Sequence, residues 1–145
     1  VVCDSLEDPH NLGAILRSAE AAGVHGVIIP KRNSVTLNYT VAKTSAGAIE
    51  YVPVVKVANL PAAIDELKSR GVWIFGADMD GTDYTALDYS GSIALVIGSE
   101  GKGIGRLVRE KCDFIASLPM RGKINSLNAS VAAGILMFEA AKHRN

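Results

Sequence analysis

Short apolar runs alternate along this chain with longer segments in which apolar residues recur at helical spacing. Each short run predicts a strand, and each longer periodic segment predicts a helix. The predicted strands cover residues 1–4, 24–30, 51–57, 72–77, 93–97 and 114–118. The predicted helices cover residues 9–22, 39–48, 60–70 and 104–111, and a last helix that Ser126 caps and that ends near Lys142.

This regular alternation predicts the fold class, which is α/β with a mostly parallel sheet and helices on both faces. The polar, glycine-containing segment 78–88 is predicted to be a loop between two strands. No internal repeat or linker composition divides the chain. Residues 1–145 are therefore predicted to form one domain.

The most informative stretch is the apolar run 93–97, which leads directly into glycines at 98, 101, 103 and 105. A continuous apolar run is typical of a strand that is buried on both faces. Ligands bind to open α/β sheets at the loops that follow such strands, and glycines let the backbone approach them closely. A tight turn without any ligand is the simpler alternative.

Two common glycine motifs do not fit this loop. A phosphate-binding P-loop needs Ser or Thr after its Lys, but Gly103 follows Lys102. The dinucleotide motif needs a third glycine, and its position is taken by Arg106 or by Val108, depending on the starting glycine.

Charge is balanced overall but not along the chain. Residues 1–97 contain seven Lys or Arg and eleven Asp or Glu, whereas residues 98–145 contain eight and four. The C-terminal third could therefore present a basic face to a polyanion. An ordinary solvated surface explains the same numbers.

Composition excludes several classes of protein. The chain is 48% apolar, which is typical of a globular domain, and no apolar run approaches the ~20 residues of a membrane span. Cys3 and Cys112 are far apart, and the three histidines show no metal-ligand spacing. These features predict no metal site and no disulfide framework, and they suit a cytoplasmic protein.

Three stretches together resemble motifs 1, 2 and 3 of the SpoU (TrmH-like) RNA ribose 2′-O-methyltransferases, within the SPOUT class. The first is Asp-Pro-His-Asn-Leu-Gly at 8–13 with Arg17, and the second is Ile-Gly-Ser-Glu-Gly-Lys-Gly at 97–103. The third is Leu-Pro-Met at 118–120 with Ser-Leu-Asn-Ala-Ser-Val-Ala at 126–132. Residues 41–48 are most similar to the branch that modifies guanosine of 23S rRNA.

The resemblance implies a sheet whose C-terminal part forms a deep trefoil knot, a dimer through the knotted region, and S-adenosylmethionine as cofactor. It also implies that residues 1–145 are a catalytic domain without the N-terminal RNA-binding domain of longer relatives. The residues expected at the cofactor are Ala77, Gly98, Leu118, Met120 and Leu127.

The reaction implied is methyl transfer to a ribose 2′-hydroxyl, most specifically of a 23S rRNA guanosine. A tRNA ribose methyltransferase and a non-catalytic RNA-binding relative are the alternatives. Arg17 is expected to activate or orient the hydroxyl, in a site shared with the other subunit, and Asn11 to order its loop and the substrate. Glu100, Ser126 and Asn128 are expected to position the loop, the substrate or the cofactor.

Overall fold

The computed structural model describes residues 1–31 and 37–144, and its centre is a sheet of six parallel strands. The strands lie in the order β3-β2-β1-β5-β4-β6. Their bounds are β1 Val2–Cys3, β2 Val27–Pro30, β3 Val54–Val57, β4 Trp73–Asp83, β5 Ile93–Ile97 and β6 Phe114–Ser117. The α-helices are α1 Pro9–Ala22, α2 Tyr39–Thr44, α3 Leu60–Ser69, α4 Arg106–Lys111 and α5 Ala129–Ala141.

Helices cover both faces of this sheet, as the sequence predicted. Leu95 and Ile97 point into the larger core cluster, which also contains side chains of α1 and α5. Ala94 and Val96 point into the smaller cluster, which contains side chains of α3 and α4. Because both faces of β5 are buried, its sequence is a continuous apolar run rather than an alternating one.

The C-terminal trefoil knot that the resemblance implies stays a prediction, with which the sheet order is compatible. Within residues 1–31 and 37–144, no helix has the length and apolar character needed to cross a bilayer.

The predicted helix over 39–48 is wrong in its second half. Helix α2 ends at Thr44, and a short 3₁₀ turn, Ala48–Glu50, follows it. Ala46 and Gly47 have φ angles of 53° and 88°, which no α-helix accommodates. Pro53 lies just before β3, where its missing N–H does not interrupt the strand.

The predicted cap of the last helix is also wrong. Helix α5 starts at Ala129, and its N-cap is Asn128 rather than Ser126. The Asn128 Oδ1 atom accepts hydrogen bonds from the backbone N–H groups of Ser130 and Val131. Asparagine is among the strongest N-cap residues, so its amide fixes the start of this helix two residues later than expected.

The third correction concerns residues 78–88, which do not form a simple loop. Strand β4 continues to Asp83, and Ala77 and Thr82 both pair with Ala116 of β6. The intervening residues 78–81 bulge out of the ladder before pairing resumes, and we call them the β4 bulge. A polar sequence concealed this strand, because its second half is exposed.

Substitution of two helical glycines by alanine is expected to change the stability of the protein in opposite directions. A Cβ at Gly13 would lie 1.7 Å from Thr44 Oγ1 and 2.7 Å from Thr44 Cβ, whereas one at Gly134 would lie 3.5 Å from Ser18 Oγ. We expect Gly13→Ala to lower the free energy of unfolding by about 1–3 kcal/mol. Gly134→Ala, the matched control, should raise it by about 0.5–1 kcal/mol. Urea unfolding measures both changes, and equal midpoints for the two variants would contradict the packing of α1 on α2.

Candidate functional site

A cavity of about 670 Å³ lies at the carboxyl ends of β4, β5 and β6. Its volume is within the range of small-molecule sites. Three walls are contributed by the β4 bulge, by the loop after β5 and by the segment after β6. The fourth wall is formed by residues 125–127 with Ala129 and Ala132 of α5. Three neighbouring parallel strands thus bring together segments that are distant in sequence.

The loop after β5, residues 98–103, folds back on itself, and we call it the glycine loop. The Gly103 N–H donates to the Ser99 carbonyl over 2.9 Å. A Cβ at Gly98 would lie 2.2 Å from the Gly103 carbonyl carbon and oxygen. Because these atoms are backbone and cannot move away, only glycine fits at position 98. Gly101 and Gly103 have positive φ angles of 78° and 65°, which complete the turn.

The side chain of Asp4 fixes the backbone just after this loop. The Asp4 Oδ2 atom accepts a hydrogen bond of 2.8 Å from the Gly105 N–H. The Asp4 N–H donates in turn to the Ile97 carbonyl over 2.7 Å, beside the β1–β5 pairing. The loop is therefore anchored at both ends before any ligand is considered.

All five residues that the sequence suggested for a cofactor line this cavity. Gly98 lies in the glycine loop and Ala77 lies in β4, immediately before the bulge. Leu118, Met120 and Leu127 supply partly exposed apolar surface to the cavity. Lining a cavity is consistent with their suggested role, which itself stays a prediction.

Glu100 and Asn128, two of the suggested catalytic residues, are bonded to each other. The Asn128 Nδ2 donates to Glu100 Oε1 over 2.7 Å, while Asn128 Oδ1 caps α5. This bond ties the glycine loop to the start of the last helix. Both residues therefore have a structural function in the free protein, and Glu100 also lines the cavity. Ser126 lines the cavity without capping any helix.

Asn11 and Arg17 lie on α1 and are not among the residues that line the cavity. Arg17 is exposed, and within residues 1–31 and 37–144 it forms no ion pair. The chain thus brings together Glu100, Ser126 and Asn128 but leaves Asn11 and Arg17 outside that group. A site that uses Arg17 needs a further contribution, which a second copy of the chain could make.

The β4 bulge was missed by sequence reasoning, although it supplies much of the cavity wall. Asp78, Asp80 and Asp83 line the cavity together with Glu100, whereas Lys102 is the basic residue among the lining side chains. Three aspartates immediately after a buried strand were the available signal. Hydrogen bonds from the Thr85 hydroxyl and N–H lower the pKa of Asp83, which keeps its carboxylate charged.

The described residues indicate neither a metal-binding cluster nor a reactive thiol. No group of three His, Cys, Asp or Glu side chains there is arranged to hold a metal ion. Burial raises the pKa of Cys3 to about 12 and that of Cys112 to about 11. Neither thiol is therefore appreciably ionised near neutral pH, and neither lines the cavity.

Comparison with known proteins agrees with the motifs and the fold. The sequence model of the SpoU rRNA Methylase family matches residues 1–138. The chain belongs to the SpoU rRNA methylase family. A Bacillus subtilis protein named as a TrmH family tRNA/rRNA methyltransferase, YacO, is 57% identical over 146 residues. That match covers 100% of this chain and 59% of the relative, so the chain spans less than two thirds of the relative's length.

Solved structures of SpoU proteins share the fold of this chain. The methyltransferase AviRb from Streptomyces viridochromogenes, in complex with AdoMet, matches with a TM-score of 0.91 at 31% identity, covering 99% of this chain and 59% of AviRb. An AdoMet-bound rRNA methyltransferase from Sinorhizobium meliloti matches with a TM-score of 0.92 at 30% identity, covering 99% and 56%. These similarities confirm the family and the α/β fold that the sequence predicted.

Proposed function

We propose that this chain binds S-adenosylmethionine in the cavity and catalyses methyl transfer to a ribose 2′-hydroxyl of RNA. The observation that carries the proposal is the cavity itself, which the glycine loop, the β4 bulge and the segment after β6 enclose at the carboxyl ends of three strands. The second SpoU motif supplies the glycine loop, and the third supplies the segment after β6 and the wall at the start of α5. Two structural neighbours contain the same cofactor.

The charge of the cavity favours a cationic ligand over a phosphorylated one. Four carboxylates line it against one lysine, although the Asp78 carboxylate is paired with Arg109. S-adenosylmethionine carries a sulfonium, an ammonium and one carboxylate group, so its net charge is positive and the lining carboxylates attract it. ATP and NAD carry phosphates, which the same carboxylates repel. This argument supports the choice of cofactor independently of the family.

The apolar part of the cavity suits the rest of the cofactor. Leu118, Leu127 and Met120 would hold its adenine and ribose by apolar contact. Gly98 and Ala77 also line the cavity, beside these apolar side chains. When bound, the cofactor supplies a methyl group that is activated by attachment to a positive sulfur.

Arg17 is the candidate for orienting the RNA hydroxyl and an adjacent phosphate. A guanidinium stays charged in proteins and presents several donors, so it binds phosphate and stabilises a developing alkoxide rather than removing the proton itself. Asn11, on the same helix, would order the substrate from the neighbouring turn. Both residues lie outside this chain's cavity, so we assign them to the cavity of a second subunit.

The outer face of α5 supports such a dimer. Val131, Ile135 and Phe138 are 50%, 36% and 51% exposed and follow one another at helical spacing. The opposite face of α5 is buried against α1 and the sheet. A helix that is apolar on all sides needs cover on all sides, and a second copy of this helix would provide it.

The RNA target that we favour is a guanosine of 23S rRNA. This choice rests on the similarity of residues 41–48 to that branch of the family. The name of the Bacillus subtilis relative includes tRNA as well as rRNA, so tRNA is the second candidate.

Cofactor selectivity is the first prediction of this proposal. Calorimetric titration of the purified protein should show binding of S-adenosylmethionine and no binding of NAD or ATP at the same concentrations. We expect this selectivity because carboxylates outnumber basic side chains in the cavity and repel the phosphates of NAD and ATP. Binding of ATP or NAD in preference to S-adenosylmethionine would overturn the proposed function.

Arg17→Ala should reduce methyl transfer by about 10²–10³-fold, the usual effect of removing one preorganised donor. Tritium transfer from labelled S-adenosylmethionine to 23S rRNA and, separately, to tRNA measures this loss and identifies the target. The dissociation constant of the cofactor should change little, because Arg17 is assigned to the RNA hydroxyl and phosphate rather than to the cofactor.

Arg70→Ala is the matched control for Arg17→Ala, since Arg70 is an exposed helix-end arginine whose ion pair is with Glu66 of the same helix. It should leave methyl transfer intact. Unchanged turnover in Arg17→Ala would remove this arginine from the mechanism.

Dimerisation through α5 gives another expected result. Light scattering should report about twice the mass of one chain, and Val131→Glu should yield monomers because it buries a charge at the interface. Leu107→Glu, at a similarly exposed apolar position on α4, should remain dimeric. A monomeric unmodified protein would contradict the shared site.

A further inference from the structure

The β4 bulge, residues 78–81, forms a wall of the cavity that none of the three family motifs includes. All four of its residues line the cavity. Asp80 has a φ angle of 58°, in the left-handed region that residues other than glycine adopt uncommonly, although Asp does so more often than most. Such a conformation persists only where surrounding contacts hold it. The contacts that hold this bulge therefore decide the shape of the wall.

Strand β6 holds the bulge from one side. The Ser117 hydroxyl donates to the Asp78 carbonyl over 2.7 Å and accepts from the Gly81 N–H over 2.9 Å. One hydroxyl thus connects the first and last residues of the bulge. A Cβ at Gly81 would lie 2.4 Å from the Ile115 carbonyl oxygen, so the bulge closes tightly onto β6.

Helix α4 holds the bulge from the other side through Arg109. The guanidinium Nη1 lies 2.5 Å from Asp78 Oδ2, and Nη2 donates to the Met79 carbonyl over 3.3 Å. Asp78 Oδ1 accepts from the Met79 N–H over 2.8 Å. The two side chains are only 36% and 20% exposed, so solvent screens this pair less than a fully exposed one.

The same carboxylate lies against the glycine loop. Asp78 Oδ1 lies 3.1 Å from the position that a Cβ on Gly103 would occupy. Asp78 is therefore placed between Arg109 and the glycine loop, and its position sets the separation of two walls of the cavity. Displacement of Asp78 changes the shape of the cavity without changing any motif residue.

We propose that Arg109 is a positioning residue of the cofactor site, which through Asp78 and the Met79 carbonyl holds the β4 bulge against the glycine loop in its binding conformation. This inference rests on the proposed function for the identity of the ligand. Arg109 does not line the cavity, so it acts through the bulge. Its loss should weaken cofactor binding and loosen the β4 bulge.

The test compares Arg109→Gln, Arg109→Lys and Asp78→Asn with the double variant Arg109→Gln/Asp78→Asn. Arg106→Gln is the matched control, because Arg106 is on the same helix and its ion pair is with Glu110 of that helix. Two readouts are measured for each variant. One is the dissociation constant of S-adenosylmethionine by calorimetry, and the other is amide hydrogen exchange at Met79 and Gly81 by NMR.

Arg109→Gln should raise the dissociation constant about fivefold or more, as expected for a partly buried ion pair. Amide exchange at Met79 and Gly81 should become faster in the same variant. Arg109→Lys should fall between it and the unmodified protein, since lysine keeps the charge but lacks the second donor. The losses in the double variant should be clearly less than additive, because both changes break the same ion pair between Arg109 and Asp78.

Unchanged affinity and unchanged exchange in Arg109→Gln would overturn the inference, as would equal effects of Arg106→Gln. Additive losses in the double variant would also contradict it. Failure of the unmodified protein to bind S-adenosylmethionine would instead overturn the proposed function. Amide exchange would then still decide whether Arg109 holds the bulge, so the two failures are distinguishable.

Discussion

The contact between Gly98 and the Gly103 backbone is the constraint on which the candidate site depends. The chain turns sharply as soon as it leaves the buried strand β5. Because this turn leaves no room for a side chain at position 98, it requires glycine there. Every other wall is arranged relative to this turn. Asp4 holds its end, Asn128 holds Glu100 at its tip, and Asp78 lies against Gly103.

Much of this architecture could be predicted from the sequence, because the sheet is covered on both faces. Full burial makes β5 a continuous apolar run, and the run is recognisable without a structure. The start of α1 was equally clear, since Asp8 and Pro9 occupy favoured positions at a helix N-terminus. The five cofactor candidates came from the family resemblance, and they line one cavity.

The remaining features depend on contacts between distant segments, which no local pattern records. The second half of β4 is exposed and polar, so its pairing with β6 left no apolar signal. Asn128 was predicted to position the loop, the substrate or the cofactor, but no local pattern showed that its one amide group both caps α5 and bonds Glu100. Arg109 was not predicted to be functional, because it lies in a short basic helix and its ion-pair partner, Asp78, is 31 positions earlier in the chain.

The hydrogen bond between Asp4 and Gly105 also has a consequence for how the molecule folds. It joins residues 101 positions apart, and β1 pairs with β5 across nearly the same separation. Closing so long a segment costs chain entropy before any contact repays it, and such topologies fold slowly. During synthesis, β1 cannot pair with β5 until the segments between them have been translated. The ligand cavity is complete only after residues 125–132 have also been translated, because they form one of its walls.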